Sequence, residues 1–536
     1  MNLALATANA SPLKEKPVVP RHALIGILAV SLSAIISTLG SGLIGAGLED
    51  LRGIWGIGID DAAYVTTIFN ASQMFIGPIS IILAARFGHR SVLLCAGCVY
   101  IVAALLLPLA PPIVSIYILL AVAGLSSGTF YPLCLSFISR NLPLSLVTYG
   151  IAAYNLDLLA TNHLLQSLEG FFMDHWGWRW IFWNQCFVTM IMLLCVYRGI
   201  PPTPKDQIIP RFNCAGLFYL SSSLALFYIA LDQGERLDWC NNGLINGLLI
   251  GGVILLCVSV LSIKFQPNPF LDFSYLKKRN ILLVAFLMLV FRFILVRVGF
   301  LVPSFLETMH QYRPNEIGSL FMLSVLPFLI AMPTFALLLN RFRVRTVATI
   351  SLAILAIVNF HDAHALRTWE LFEFINSQML GAIGICGLDM ATIAGIVFSG
   401  RTSGAYAYRA GAYAQGATFQ IARLFASVAS VSAFRRFLLV REHFWQTKLT
   451  ADLQKGWSFD QRVDDLGIAL APQASGSLQA HEIGANLINK SVHEQALTLA
   501  FDDTFMLLGW VCIIGLIVLS LMTRVPLPRE LPAADQ

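Results

Sequence analysis

Among the side chains able to carry charge or share hydrogen bonds, ten stand out inside stretches rich in Leu, Ile, Val, Phe and Ala. Six of them share one stretch: Asn155, Asp157, Asn162, His163, Gln166 and Glu169. At 100° per residue, Asn155, Asn162, Gln166 and Glu169 fall within about 60° of one another on a helix, while Asp157 and His163 lie on other faces. Arg292, Arg297, Asp389 and Arg423 are scattered over three later stretches. An ionised residue at mid-bilayer costs at least ~2.5–3.5 kcal/mol on insertion scales, so each needs a partner or water. Two kinds of chemistry follow. In one, Glu169 or Asp157 binds a proton and a cationic solute in turn, with Asp389 as the counterpart in a second half of the chain. In the other, Asp157 or Asp389 pairs with Arg292 or Arg297 and holds the halves together. The two arginines also admit recognition of an anionic solute.

The elements that must position these groups are membrane helices. Hydrophobic residues make up 57% of the 536-residue chain and charged ones 12%, against about 25% charged in soluble domains. Spanning needs roughly 20 apolar residues per helix. Fourteen stretches qualify: 22–48, 62–84, 91–110, 112–138, 145–173, 180–197, 213–231, 243–263, 281–306, 317–340, 346–360, 374–398, 411–434 and 504–522. Their continuous apolarity excludes a membrane barrel, whose strands alternate.

Lys and Arg orient the spans. With residues 1–21 in the cytoplasm, the eight inside segments hold twenty basic residues and the short outside loops hold five: Arg52, Arg179, Arg236, Arg313 and Arg367. That asymmetry places both termini in the cytoplasm. The net charge of +5 therefore reflects topology, and no nucleic-acid partner is expected. The first span is too long for a cleaved signal and is read as an anchor.

A phrase of the form R-F-x-x-R-[ST]-V follows the second span, from Arg86 to Val92, and recurs after the tenth, from Arg341 to Val347. Matching loops at matching places predict two halves of six helices, spans 1–6 and 9–14, with spans 7 and 8 as an inserted pair. Polar, turn-rich segments set the pair off, at Pro201–Pro204 and Lys264–Asn280. The expected division is an N-terminal bundle over 1–200, an insert over 201–280, and a C-terminal bundle over 281–536. The last carries a long outer loop at about 435–500, read as short amphipathic helices lying on the outer face. Parallel halves place a solute site between them near the midplane. Gly124-x-x-x-Gly128-x-x-x-Pro132 predicts a flat helix face for close packing. Trp176, Trp178, Trp180 and Trp183 read as an interfacial aromatic belt.

Other chemistry is not indicated. Cys95-Ala-Gly-Cys98 has redox spacing but lies within a membrane helix, where Cys is a small hydrophobe. His361, Asp362 and His364 are too sparse for a metal site, and no phosphate-cradling loop is present. No cofactor, metal or catalytic residue is expected, and the chain is not read as an enzyme.

With these residues in view, nearly the whole chain resembles the major facilitator superfamily, and within it the 14-helix drug:proton antiporters. The resemblance rests on Asp232-Gln-Gly-Glu-Arg-Leu-Asp238-Trp239 between the inserted helices, on Trp178-Arg-Trp-Ile-Phe182 opening span 6, and on the Gly124/Gly128/Pro132 ladder. Arg86, Gly88 and Arg90 are similar to the family's cytoplasmic gate motif, or serve only as topology determinants. Gln420-Ile-Ala-Arg423 is similar to a segment that carries an arginine there, a structural or gate element. Four family positions are altered: Ala85 replaces an acidic residue, Gly40 an aspartate, Leu120 an arginine, and Leu165-Gln166 the Gly-Pro of the antiporter motif. Proton coupling by the usual residues is not expected to survive those changes.

The resemblance implies a secondary active exporter of amphipathic or drug-like molecules, in a bacterial inner membrane, exchanging them for protons. Asp157, Glu169 and Asp389 would handle protons or cations, with Asn155, Asn162 and Gln166 lining the path. Some family members in two-membrane bacteria work with a periplasmic adaptor and an outer-membrane channel, which the resemblance admits as partners. A narrow-range exporter of an anionic metabolite or siderophore, read by Arg292 and Arg297, is the alternative within the fold. A non-transporting membrane scaffold or sensor is the alternative outside it.

Overall fold

The computed structural model describes residues 23–110, 113–133, 144–202, 215–265, 279–402, 409–454, 461, 463, 465 and 477–522, and every regular element among them is helical. Fourteen long helices match the fourteen expected spans. They are α1 Ala23–Ala46, α2 Ile59–Phe87, α3 His89–Leu106, α4 Ile113–Ser127, α5 Leu144–Phe171, α6 Trp180–Gly199, α7 Ala215–Gln233 and α8 Gly243–Lys264. The second set is α9 Arg279–Val296, α10 Val325–Arg341, α11 Val344–Asp362, α12 Leu371–Thr402, α13 Arg409–Gln454 and α14 Ser477–Ser520. A π-turn at Arg297–Leu301 and the helix Val302–His310 prolong α9, and Pro314–Leu323 leads into α10.

Two six-helix bundles emerge from the contacts. In the first, α1 packs on α5 and α6, α2 on α4, and α3 on α4 and α6. In the second, α9 packs on α13 and α14, α10 on α12, and α11 on α12 and α14. These pairings are the same when helix n is matched to helix n + 8. The bundles meet along α5 against α10 and α2 against α13, which that matching exchanges. The insert lies beside this seam, with α7 on both α2 and α13 and α8 behind it.

Among the described residues, eleven helices are long and apolar enough to cross a membrane. Along the seam, α2 packs on α13 and α5 on α10. The peripheral α8 has only 17% of its apolar window buried, whereas the central α12 has 83% buried.

Close approach is bought with glycine. A Cβ on Gly128 would stand 2.8 Å from Gln73 Cα, so α4 can lie on the α2 backbone only without one. Gln73 Nε2 then donates to Ser127 Oγ at 3.0 Å. The predicted flat face is therefore real. Gly40 has a similar explanation: a side chain there would meet the Phe69 ring and Tyr100 Oη at 2.8 Å, so the aspartate expected of the family has no room.

Both copies of the repeated phrase lie at one end of the molecule. Thr148 at the start of α5 donates to Asn340 at the end of α10 at 3.0 Å, and the α3–α4 hairpin returns the chain to the end where Gly88 turns it. Arg86 lies over Phe87 and Arg341 over Phe342 in the same way. Arg90 stacks on Tyr197 near the end of α6, and Arg345 donates to the Met522 carbonyl just beyond α14. Gly88 adopts φ 85°, a turn closed to other residues, whereas Arg343 makes the equivalent turn with φ −70°.

The 435–500 segment corrects the expectation of separate helices lying flat. Most of it continues α13 and α14, which have 46 and 44 residues. At 1.5 Å per residue each is about 65–70 Å long, roughly twice the ~30 Å hydrocarbon core. Arg441 pairs with Asp503 at 2.7 Å and Trp445 Nε1 donates to the same carboxylate at 2.6 Å, joining the two into a hairpin. The amphipathic pattern that suggested surface helices comes from this mutual packing.

Arg297 and Asp362, both fully buried, form an ion pair at 2.6 Å within the second bundle. Gln378 and Ser377 accept from the same guanidinium at 2.9 and 3.0 Å. Gly381 leaves the space, since a Cβ there would stand 2.9 Å from Arg297 Nη1. Asp362→Ala should strand the guanidinium and cost about 3–5 kcal/mol of stability. Thermal unfolding in detergent checks this, and an unchanged midpoint would show the pair to be dispensable.

Candidate functional site

Where the bundles meet, helix geometry brings together groups from four helices and the turn that ends α4. Arg292 precedes Arg297 by five residues, so the two point about 140° apart around α9. Arg297 enters its own bundle; Arg292 faces the seam. There Asp389 of α12, 2% exposed, is the carboxylate whose charge reaches both Arg292 and Arg423 of α13. From the other bundle comes Tyr131, just past α4, whose ring lies 3.5 Å from the Arg423 guanidinium carbon. Tyr154 of α5 stands edge-on to Tyr131 at 5.0 Å. Next to it, Asn155 Nδ2 approaches Met390 Sδ at 3.7 Å.

This cluster differs in kind from the Arg297 pair. Asp389 Oδ2, Arg292 Nε, Arg423 Nε and Asn155 Oδ1 are buried with no hydrogen-bond partner. Two guanidiniums face one carboxylate, so the site keeps an excess positive charge. Polar atoms left unpaired in such a place are costly, and a solute or water that satisfies them is bound favourably. The arrangement can hold an anionic group against the arginines, or exchange a proton at Asp389.

The remaining predicted residues disperse. Asp157 is half-buried and faces Ser31 of α1 inside the first bundle. Asn162 is exposed and satisfied by its own helix, donating to the Leu158 carbonyl at 2.9 Å. Gln166 is half-buried with Oε1 unpaired. Glu169, 1% exposed, lies near the far end of α5 against Gly47, where a Cβ would stand 2.9 Å from its Oε1. The three carboxylates expected to act together thus occupy three separate places. Of the stripe, only Asn155 reaches the seam cluster.

Three placements correct the expectations. Arg297 has its charge pair with Asp362 and not with Asp157 or Asp389. Arg423, read as a structural or gate element, belongs to the central cluster beside Tyr131. Arg86 is exposed and Arg90 stacks on α6 of its own bundle, while Gly88 makes the turn between α2 and α3. Tyr131 and Tyr154 were not foreseen. Tyr131 does precede Pro132 in the glycine ladder, and its place on the face that meets the other bundle was the available signal.

Two matched bundles with buried charges at their seam define a membrane transporter of the major facilitator fold, a class of carriers and not of enzymes. The chain belongs to the Major Facilitator Superfamily, whose profile matches residues 30–427. It is similar to the probable multidrug resistance protein EmrY of Escherichia coli (strain K12), 26% identical over 253 residues, covering 47% of this chain and 49% of that protein. The multidrug export protein EmrB of the same strain is 21% identical over 305 residues, covering 57% and 60%. The matches to these two thus span only about half to three-fifths of their length. The colistin resistance protein EmrB of Acinetobacter baumannii is 20% identical over 475 residues, covering 87% and 89%. Among solved structures, the human organic anion transporter MFSD10 superposes with TM-score 0.53 at 11% identity, over 91% of this chain and 99% of that one. The proton:xylose symporter XylE gives 0.51 at 12%, over 88% and 94%. Both likenesses concern the fold.

Asp389→Ala should leave Arg292 and Arg423 without a compensating carboxylate and lower the unfolding midpoint. Adding Arg423→Met should restore part of that loss. Unfolding midpoints of the single and double variants decide it; additive losses would show that the charges do not interact.

Proposed function

We propose that the chain is a secondary active exporter of amphipathic, drug-like small molecules. It works by alternating access of two bundles, 1–200 and 281–536, with the pair in 201–280 as an accessory, and it exchanges solute for protons. The end bearing the two basic phrases faces the cytoplasm of a bacterial inner membrane, as do both termini. The observation that carries this reading is the Asp389–Arg292–Arg423–Tyr131 cluster, drawn from both bundles and left with unpaired polar atoms. Ionised Asp389 can receive a cationic or hydrogen-bond-donating group of the solute; a proton on it removes that attraction. Proton and solute therefore compete for one set of contacts, which is the requirement for exchange. The relatives named for multidrug export and colistin resistance support the same class of work.

The excess of one positive charge favours a second reading, in which the solute is an amphipathic anion. Arg292 and Arg423, not Arg297, would then receive its acidic group, and Tyr131 its apolar body.

Proteoliposomes with an imposed pH gradient test both readings, using a lipophilic cationic dye and a fluorescent aryl carboxylate as probes. Gradient-driven movement of either probe should fall at least about tenfold in Asp389→Asn, the scale of losing one charged contact. Preference for the carboxylate, lost in Arg292→Gln, selects the anion reading. Movement indifferent to the gradient removes proton exchange. Failure of both probes, together with unchanged drug sensitivity in a pump-deficient host, points to a scaffold or sensor.

A further inference from the structure

The loop between α7 and α8, Asp232 to Trp239, is tied to both bundles at the end opposite the basic phrases. Its ties to the first bundle are many. Asp232 accepts from Thr67 of α2, and Gln233 Nε2 donates to Thr67 Oγ1 at 2.5 Å and to the Ala63 carbonyl at 3.2 Å. Arg236 pairs with Asp60 at the start of α2, lies over Tyr64 at 4.9 Å, and donates to Gln233 Oε1 at 2.7 Å. Among the described residues, the loop's ion pair to the second bundle is Glu235 Oε1 with Arg436 Nη1 of α13, at 3.2 Å, and the charge of Arg435 also reaches Asp232.

Glu235 is aimed at Arg436 by a strained turn. Its other oxygen accepts from Trp239 Nε1 at 3.0 Å. Trp239 reaches that place because Asp238 and Trp239 both hold positive φ, 56° and 47°. Gly234 is needed under the indole, where a Cβ would stand 2.8 Å from the ring. Non-glycine residues rarely hold such angles unless the surroundings impose them. Here the surroundings fix one carboxylate oxygen and leave the other to face α13.

At the same end the other seam is also shut. Gly318 lies against the Ser167 backbone, Gly170 against Asn315, and Asn315 Nδ2 donates to Asp174 at 3.2 Å. We propose that Asp232–Trp239 is a clasp, anchored on the first bundle and hooked to the second through Glu235–Arg436, that holds the outer mouth closed and lets go when the mouth opens. The inequality of the two attachments supports this. Several bonds, some of them buried, fix the loop to α2, whereas Arg436 is 55% exposed and water can replace its partner. When the bundles part, the hook breaks and the insert travels with the first bundle. Glu235 and Arg436 are then positioning residues that set how often the mouth opens, without touching the solute.

The clasp rests on the alternating-access reading, and one experiment separates the two. Spin labels go on the exposed positions Ile59 and Val440 as Ile59→Cys and Val440→Cys, with the native cysteines replaced, in lipid nanodiscs. Pulsed dipolar distances should show a major short and a minor long population. Glu235→Gln, and separately Arg436→Gln, should raise the long fraction about threefold, the scale of one exposed ion pair. Arg436→Lys, which keeps the charge and leaves Trp239 its acceptor, should keep it near the parent value. Two populations that neither neutral variant changes, or a rise in Arg436→Lys as large as in Arg436→Gln, overturn the clasp alone. A single distance in the unmodified loop and in every variant overturns alternating access and the clasp with it.

Discussion

A guanidinium cannot shed its charge, so an arginine inside a bilayer dictates what surrounds it. This chain meets that demand in two ways on one helix. At Arg297 the solution is complete: a carboxylate, an amide and a hydroxyl saturate it, and a glycine makes the room. At Arg292 the solution is deliberately short, because one carboxylate serves two guanidiniums and several polar atoms are left unpaired. The first arrangement makes the second bundle rigid. The second creates a demand that something entering between the bundles can satisfy, and the five-residue spacing on α9 turns the two side chains about 140° apart.

The same economy of polarity shapes the packing. Polar side chains such as Gln73 of α2, Asn155 of α5 and Arg423 of α13 sit on helices that lie where bundle meets bundle. Their polar residues are hidden from lipid only while the halves stay together or water fills the gap between them. Lipid-facing helices such as α8 have no such dependence. The seam is therefore the one place where separating protein surfaces exposes groups that water welcomes, which is where a rocking motion is cheapest.

How much of this was legible in the sequence follows from range. Fourteen helices, their order and the two matched halves rest on continuous apolarity and one repeated phrase, both local signals, and each has its helix. Glycine spacing likewise reported the α4–α2 contact, because a missing Cβ states its own consequence. Partnership was not legible. Arg297 and Asp362 are 65 residues apart in the chain, and Asp362 lies two residues beyond the apolar stretch 346–360. The stripe on α5 was correctly placed on one face, yet one face of a 28-residue helix meets α12 at Asn155 and the end of α1 at Glu169. Angular position alone does not say which neighbour comes at which depth.

The inserted pair shows where a local motif and a long-range consequence coincide. Asp232–Trp239 stood out by its residues alone, but a sequence offers no reason for a glycine, three acids and a tryptophan at that spacing. The fold supplies it: the glycine admits the indole, the indole holds one carboxylate oxygen, and the other oxygen is left for an arginine 201 residues away. A pair of helices added only to fill lipid space would need no such turn. Its polar ties would be spent within the pair, as in the Ser223 and Ser259 bonds to facing glycine carbonyls at 2.7 and 2.6 Å. Instead the loop spends them on α2 and α13, the two helices of one seam. An element that reaches both sides of a moving boundary either obstructs the motion or regulates it, and the strong-on-one-side, weak-on-the-other distribution of its bonds is the form that regulation requires.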